Sequence, residues 1–357
     1  MLEVLLLLSL GVLGISLIGS GDGGDGGGDD DSDAPETDPE EPIVGTLGDD
    51  DDSAVLTDNA DSVEGGAGND LIDALGGPDW VRGNDGNDTL LGGDGNDFLA
   101  GNAGADEIDG QDGNDLLRGG VGPDLIQGGA GDDLIETGLG GDRAWGDEGN
   151  DTIVISEESG DELPFNEVYG GLGDDLMLVD NSNAQVSGDQ GNDTIAIYLT
   201  DEDAYVDALG GEGDDLIVAG ETGIDASIYA SGGEGNDTID VGAGGYVSGD
   251  AGDDVILAEG IEIYGGAGSD LFVGDLTGDR SMSGVVLDFL PGEDAILFDV
   301  PGPDLEDAEL VIGEPAFSEV YGRSLTEIAL TAGGQTYSIF VQTAEEIQPD
   351  DIIVRGA

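Results

Sequence analysis

Gly83-Asn84-Asp85-Gly86-Asn87-Asp88-Thr89-Leu90-Leu91 is followed without a gap by Gly92-Gly93-Asp94-Gly95-Asn96-Asp97-Phe98-Leu99-Ala100. Both nonapeptides have glycine fourth, aspartate sixth and leucine eighth. The phrase they share, Gly-Gly-x-Gly-x-Asp-x-apolar-x, extends in both directions. Ten copies run unbroken from Gly65 to Val154, and six looser ones begin at Gly170, Gly188, Gly210, Gly232, Gly249 and Gly265. A period of nine belongs to neither a helix nor a coiled coil. Positions one to six turn, because glycine reaches backbone angles closed to other residues and lets neighbouring backbone approach. Positions seven to nine extend. Position eight is Ile72, Val81, Leu90, Leu99, Ile108, Leu117, Ile126, Ile135, Ala144 and Ile153. Side chains alternate across a strand, so this apolar residue points inward while its neighbours point out.

Two nonapeptides make one coil of strand, turn, strand, turn. Coils stacked at a strand separation of about 4.8 Å give two parallel sheets. Aspartates eighteen residues apart then align: Asp70, Asp88, Asp106, Asp124 and Asp142 on one edge, and Asp79, Asp97, Asp115, Asp133 and Asp151 on the other. Columns of carboxylates so spaced repel strongly unless a cation lies between successive members. Carboxylates and loop carbonyls are hard oxygen donors on a flexible turn, which calls for Ca2+ rather than Zn2+ or a soft metal.

The repeat resembles the RTX, or haemolysin-type, calcium-binding nonapeptide of secreted bacterial toxins, proteases, lipases and adhesins. The resemblance implies an all-β, right-handed parallel β-roll, a β-solenoid with a small C-terminal β cap, in which each Ca2+ sits between stacked turns. The implied side-chain ligands are the ten aspartates above together with Asp175, Asp193, Asp215, Asp237, Asp254 and Asp270. Backbone carbonyls of the turns join them, such as those of Gly65, Ala67, Gly83, Asp85, Gly92, Asp94, Gly110, Asp112, Gly128 and Ala130. Counting stacked pairs gives a capacity of roughly 13 to 14 ions. Without calcium, low hydrophobicity and high charge predict a disordered chain.

After Val154 the copies no longer abut, and the interval from one to the next is uneven. Each coil there keeps one glycine turn, and Val186, Val206, Ile228, Val247 and Ile263 mark strands that lack an aspartate loop, so calcium is expected along one edge only. Five regions follow: an apolar segment at 1–19, an acidic Gly/Asp/Pro linker at 20–44, a two-edged roll at 45–154, a one-edged roll at 155–274 and a C-terminal β cap at 275–357. From Gly45 to Glu64 the repeat fades in, with Asp61 and Val63 at positions six and eight, and this degenerate coil is expected to cap the roll. In the last region Val286-Leu287-Asp288-Phe289 and Pro291-Gly292-Glu293-Asp294 resemble the segment that closes RTX rolls. Glu327–Thr331 and Thr336–Val341 read as a hairpin. Asp350-Asp351-Ile352-Ile353-Val354 resembles the terminus of type I secretion substrates, and reads equally as a final strand sealing the roll.

The apolar run Leu2 to Ile18 has the length of a bilayer anchor or a signal core, but lacks the Lys/Arg that either usually carries. The readings of membrane tether, cleaved signal and segment packed on protein all stay open.

The 357 residues carry 83 acids, no Lys, six Arg and a formal charge of −77. Nucleic acid and anionic membrane surfaces are poor partners for that field. With no His and no Cys, His-ligated metals, thiolate chemistry and disulfides are excluded. Triads built on His and Schiff bases built on Lys are excluded as well. Enzymatic members of the family carry a catalytic domain ahead of the repeats, and about 45 residues stand there. The expectation is therefore a non-enzymatic calcium-binding protein, secreted or held at the cell surface through residues 2–18. It would serve as scaffold or adhesion module, with calcium as ligand and an unidentified cell-surface, glycan or protein partner. The alternatives are a haemolysin-like toxin and an accessory to a polysaccharide-active enzyme. Trp80, Phe98, Leu116 and Leu134 are expected to stack on one outward face as a docking strip or as ordinary half-exposed strand residues. Thr89, Thr152, Thr194 and Thr238 read as too scattered for a regular threonine array.

Overall fold

A computed structural model of the protein describes residues 41–156, 164–200, 204–220, 227–242, 245–258, 262–275, 285–300, 308–318, 322–332 and 335–356. Segments 1–19 and most of 20–44 lie outside the described residues. Among those described, no helix is long and apolar enough to cross a membrane.

The alternation of turn and strand produces two parallel sheets. The first has fifteen strands, from Val44–Gly48 and Ser62–Ala67 through every second strand to Leu271–Asp275, Ala295–Val300 and finally Ile352–Gly356. The second starts at Ser53–Val55 and Leu71–Asp73 and takes the intervening strands as far as Val285–Val286. The eighteen-residue register is direct: Trp80 pairs with Phe98, Phe98 with Leu116 and Leu116 with Leu134. Where the copies spread out, the added residues fall between strands and the parallel register resumes, as in Tyr205 opposite Ser227.

The inward residues form one continuous core. Every position-eight residue from Ile72 to Ile153 is fully or almost fully buried, as are Val186, Val206, Ile228, Val247 and Ile263 in the replacement strands. Burying each large aliphatic side chain contributes about 1.5–3 kcal/mol, and two such residues per coil tie each coil to its neighbours. Phe272, Phe289 and Phe298 fill the far end, with Phe272 and Phe289 tilted at 6.1 Å between ring centroids.

Both ends depart from the regular coil. At the start, Val44–Gly48 and Ser53–Val55 form the degenerate coil and pair in parallel with the first full one. At the end, Ile352–Gly356 pairs with Ala295–Val300 as the last strand of the first sheet, as the reading of Asp350–Val354 as a sealing strand requires. The second sheet turns antiparallel: Gln335–Val341 continues it from Val285–Val286, Arg323–Ala332 pairs with Gln335–Val341 as the expected hairpin, and Glu309–Ile312 lies beyond. The antiparallel hairpin ends the parallel repeat of the second sheet.

Thr152, Thr194 and Thr238 are less scattered than their sequence positions imply. They share one outward column of the first sheet at alternate coils, separated by Leu176 and Leu216. Thr89 lies on the other sheet.

Candidate calcium-binding columns

The two edges of the roll each carry a ladder built from position six. On the long edge the backbone N–H of Asp79 donates to Oδ1 of Asp97, Asp97 to Asp115, Asp115 to Asp133 and Asp133 to Asp151, at 2.7–2.8 Å. The same bond continues through Asp175, Asp193, Asp215, Asp237 and Asp254 to Asp270. The short edge runs Asp70, Asp88, Asp106, Asp124, Asp142. All sixteen aspartates singled out from the repeat stand in these two columns.

Their second oxygens are the anomaly. Oδ2 of the fifteen other than Asp142 is buried and accepts no hydrogen bond. A buried carboxylate oxygen without a partner is costly, and neighbours about 4.8 Å apart at an effective dielectric of about 20 repel by roughly 3–4 kcal/mol. Burial, reinforced by the adjacent carboxylates, accordingly raises the pKa of Asp79, Asp124, Asp133, Asp175, Asp215 and Asp270 to about 7. Asp106, Asp115, Asp151, Asp193, Asp237 and Asp254 reach about 6, and burial raises Asp70, Asp88 and Asp97 as well.

Glycine at position one lets these oxygens close on the turn backbone. At fourteen turns, ten on the long edge from Gly92 to Gly265 and four on the short edge from Gly65 to Gly119, a Cβ would lie at most 2.7 Å from Oδ2 of the same copy's aspartate. At ten of the fourteen it would also lie within 2.8 Å of the position-one carbonyl of the next coil, as for Gly65 against Gly83 O. Space, rather than backbone angle, demands glycine here. Position four demands it on both grounds: Gly86 has φ +139°, where an L side chain is strained, and a Cβ there would lie 1.7 Å from Gly68 O.

A point flanked by an unpartnered carboxylate oxygen and an inward carbonyl is a cradle for a hard cation, so the residues fit Ca2+. Among the described residues no three acidic side chains converge on one point, so carbonyls must supply much of any coordination shell. The position-one carbonyls of Gly83, Gly110 and Gly128 face the cradles of the preceding coil. The position-three carbonyls of Asp85, Asp94, Asp112 and Ala130 each accept the position-four N–H of the coil before, at 2.7–2.9 Å.

The column ends need no cation. Oδ2 of Asp61 accepts the N–H and hydroxyl of Thr57, at 2.8 and 3.0 Å. Asp294 accepts Asp270 N–H through Oδ1 and Leu290 N–H through Oδ2. Asp288 closes the last glycine turn by accepting the N–H groups of Gly265 and Gly266. On the short edge Asn166 takes over: its Oδ1 accepts Asp142 N–H and its amide donates to Ser182 Oγ. The repeat register pointed to Asp61. Asp288 and Asp294 sit in the segment resembling a roll closure, and Asn166 carries no periodic signal.

A second ladder at position five runs the other way. On the long edge Asp132, Asn150, Asp174, Asn192, Asp214, Asn236 and Asp253 succeed one another, each Oδ1 accepting the backbone N–H of the next. Acid and amide alternate, so no two carboxylates are adjacent in this outer row, and the amides of Asn150, Asn192 and Asn236 donate to the preceding acid. The signal was visible as Asn or Asp at position five.

Segments 46–81, 82–117, 109–144, 118–153, 229–245 and 262–280 match the family model described as RTX calcium-binding nonapeptide repeat (4 copies). Over these segments the chain carries RTX-type repeats. Its fold is a parallel β-roll of calcium-binding repeats. No curated protein matches the chain. Solved structures with a likeness include a hyperactive, Ca2+-dependent, β-helical antifreeze protein from an Antarctic bacterium. It is 18% identical, with 73% of this chain and 75% of that one covered and a TM-score of 0.35. Another is the extracellular lipase LipA from Serratia marcescens, 17% identical over 79% of this chain and 40% of that chain, with a TM-score of 0.14. At these scores neither bears on the site.

Proposed function

We propose that this protein is a secreted or surface-tethered, non-enzymatic calcium-binding scaffold whose roll folds when it meets extracellular Ca2+. The observation that carries the reading is the pair of columns in which buried Oδ2 atoms without hydrogen bonds face glycine cradles. Each cradle takes one Ca2+, held by the position-six aspartate and by turn carbonyls, the position-one carbonyl of the next coil above all. Ca2+ supplies the positive charge that the buried carboxylates need; the chain supplies spacing, carbonyls and a core that forms only when coils stack. Carbonyl-rich shells of low charge suit dissociation constants of roughly 10⁻⁴–10⁻³ M, which fill outside cells and not within a cytosol. Export unfolded and folding on arrival then need no further signal.

The divisions at 154 and 274 follow the end of the short column and of the last glycine turn, and residues 2–18 serve as the tether. The non-enzymatic reading rests on a composition without His, Cys or Lys and on the use of so many carboxylates in ladders. The adhesive reading rests on the outer face of the second sheet. There Trp145 stacks on Tyr169, and Tyr205–Tyr229 and Tyr246–Tyr264 form two further pairs, all at 5.3–5.8 Å between centroids. Beside Trp145 lies an open trough of about 920 Å³ bordered by Asp147, Glu148, Asp189 and Glu212. Aromatic faces among hydrogen-bonding groups suit contact with a macromolecule rather than turnover of a small one.

The test offers the full chain to immobilised glycans and intact cells, in Ca2+ and in chelator, and assays the same glycans for cleavage. Retention in Ca2+ alone, with the glycans intact, is expected. Shortened or unsaturated glycan products would overturn the non-enzymatic reading, and equal retention in chelator would overturn the dependence on the folded roll.

A further inference from the structure

Two turns break the rule that position one is glycine. Ala74 begins the copy containing Asp79 and Thr137 begins the copy containing Asp142. Both residues are fully buried. At the fourteen glycine turns a Cβ would stand hard against Oδ2 and, at ten of them, against the next coil's carbonyl, the oxygens that wall the cradle. Here a methyl or a hydroxyethyl group stands where those oxygens would close in. The Ala74 carbonyl is also drawn into its own turn, accepting the N–H of Gly76 at 3.0 Å. The register Glu136 to Arg118 and Gly138 to Gly120 sets Thr137 over Gly119. Its carbonyl therefore completes the Gly119 cradle while its side chain borders its own, with Oγ1 buried and without a hydrogen bond.

Their places in the columns are not random. Below Ala74 on the long edge stands Asp61, which Thr57 satisfies. Above Thr137 on the short edge stands Asn166, an amide where every lower member is a carboxylate. Each substitution falls where the ladder passes from carboxylates that need a cation to groups satisfied by the chain.

We infer that Ala74 and Thr137 are stops that set where the two calcium columns begin and end. This rests on the proposal that Ca2+ fills the cradles. The long column then runs from Gly92 to Gly265 and the short one from Gly65 to Gly119, offset along the roll. The excluded turns keep buried carboxylates without metal, so the position-six aspartate binds only where position one is glycine.

Native mass spectrometry of the full chain, saturated with Ca2+ and desalted, counts the ions. Fourteen are expected for the wild type, one for each glycine cradle. Ala74→Gly opens a cradle between Asp79 and the Gly92 carbonyl and should add one ion, a gain that a misfolded variant cannot mimic. Gly110→Ala should remove one. A wild-type count of sixteen, one for every position-six aspartate, unchanged in Ala74→Gly, would overturn the stops while leaving the calcium reading intact. An extra wild-type ion that disappears in Thr137→Val would make the hydroxyl a ligand and overturn the stop at that turn. No bound Ca2+ at all would instead sink the proposed function from which the inference starts.

Discussion

The backbone N–H of Asp115 donates to Oδ1 of Asp133 one coil further on, at 2.7 Å, while Oδ2 of the same Asp133 is buried without a hydrogen bond. One carboxylate thus has two parts: one oxygen joins coils, and the other is the one the proposed Ca2+ would meet.

Asp133→Ala removes both jobs at once. It leaves the Asp115 N–H buried without its acceptor, worth about 1–3 kcal/mol, and it strips a cradle of its carboxylate. Thermal unfolding in saturating Ca2+ should fall clearly below wild type. Asp133→Asn keeps an acceptor for the Asp115 N–H, so in the same Ca2+ it should fall less than Asp133→Ala, yet bind one ion fewer than wild type.

The terminal carboxylates behave otherwise. Asp294 has donors on both oxygens, from Asp270 and Leu290, so Asp294→Asn should leave the ion count unchanged. Asp270→Asn should lower it by one. Calcium-counting by mass on the two variants separates a capping role from a binding role, and loss of an ion in Asp294→Asn would contradict the distinction drawn between them.

The pH dependence of the metal-free chain has a definite sign. Burial raises the column aspartates to about 6 or 7 in the folded roll, against about 3.9 in an unfolded chain. Between those values the folded state binds more protons, so its stability is greatest at the acid end and is lost as pH rises through the folded values. In chelator, β structure seen by circular dichroism should therefore grow as pH is lowered from about 7.5 to about 4.5. In calcium the effect reverses, since protons compete for Oδ2, and the Ca2+ midpoint should rise on acidification. A metal-free spectrum that loses β content toward acid would show that the buried carboxylates are not what keeps the chain unfolded.

Packing across the roll can be probed at Ile126, which is fully buried in the core. Ile126→Ala should cost about 2–5 kcal/mol in Ca2+, and since its coil is flanked on both sides, hydrogen exchange should loosen in the neighbouring coils first.

The nine-residue period made the roll readable, because turn and core residues are locked to positions four, six and eight and an inward side chain every nine residues admits one register. Sixteen aspartates chosen on that ground all stand in the ladders. Legibility ended where the period did. Asn166 follows Asp142 at a longer interval than the repeat and is an amide, so nothing in the sequence pattern ties it to the column. Asp294 likewise stands off the repeat interval from Asp270 and is satisfied by Leu290, a local contact that only the folded chain reveals. The aromatic pairs of the second sheet were hidden for the same reason: Tyr205 meets Tyr229, and Tyr246 meets Tyr264, across coils of changing length. Ala74 and Thr137 were visible as departures at position one, but their meaning depends on a cradle whose walls come from another coil.

The central claim is that Ca2+ turns this chain from coil to roll, and far-UV circular dichroism of the full chain, titrated from chelator to about 10 mM Ca2+ with Mg2+ as control, tests it most directly. A cooperative rise of β signal with Ca2+ alone is the result predicted. A β spectrum already complete in chelator at neutral pH, unchanged by Ca2+, would contradict it.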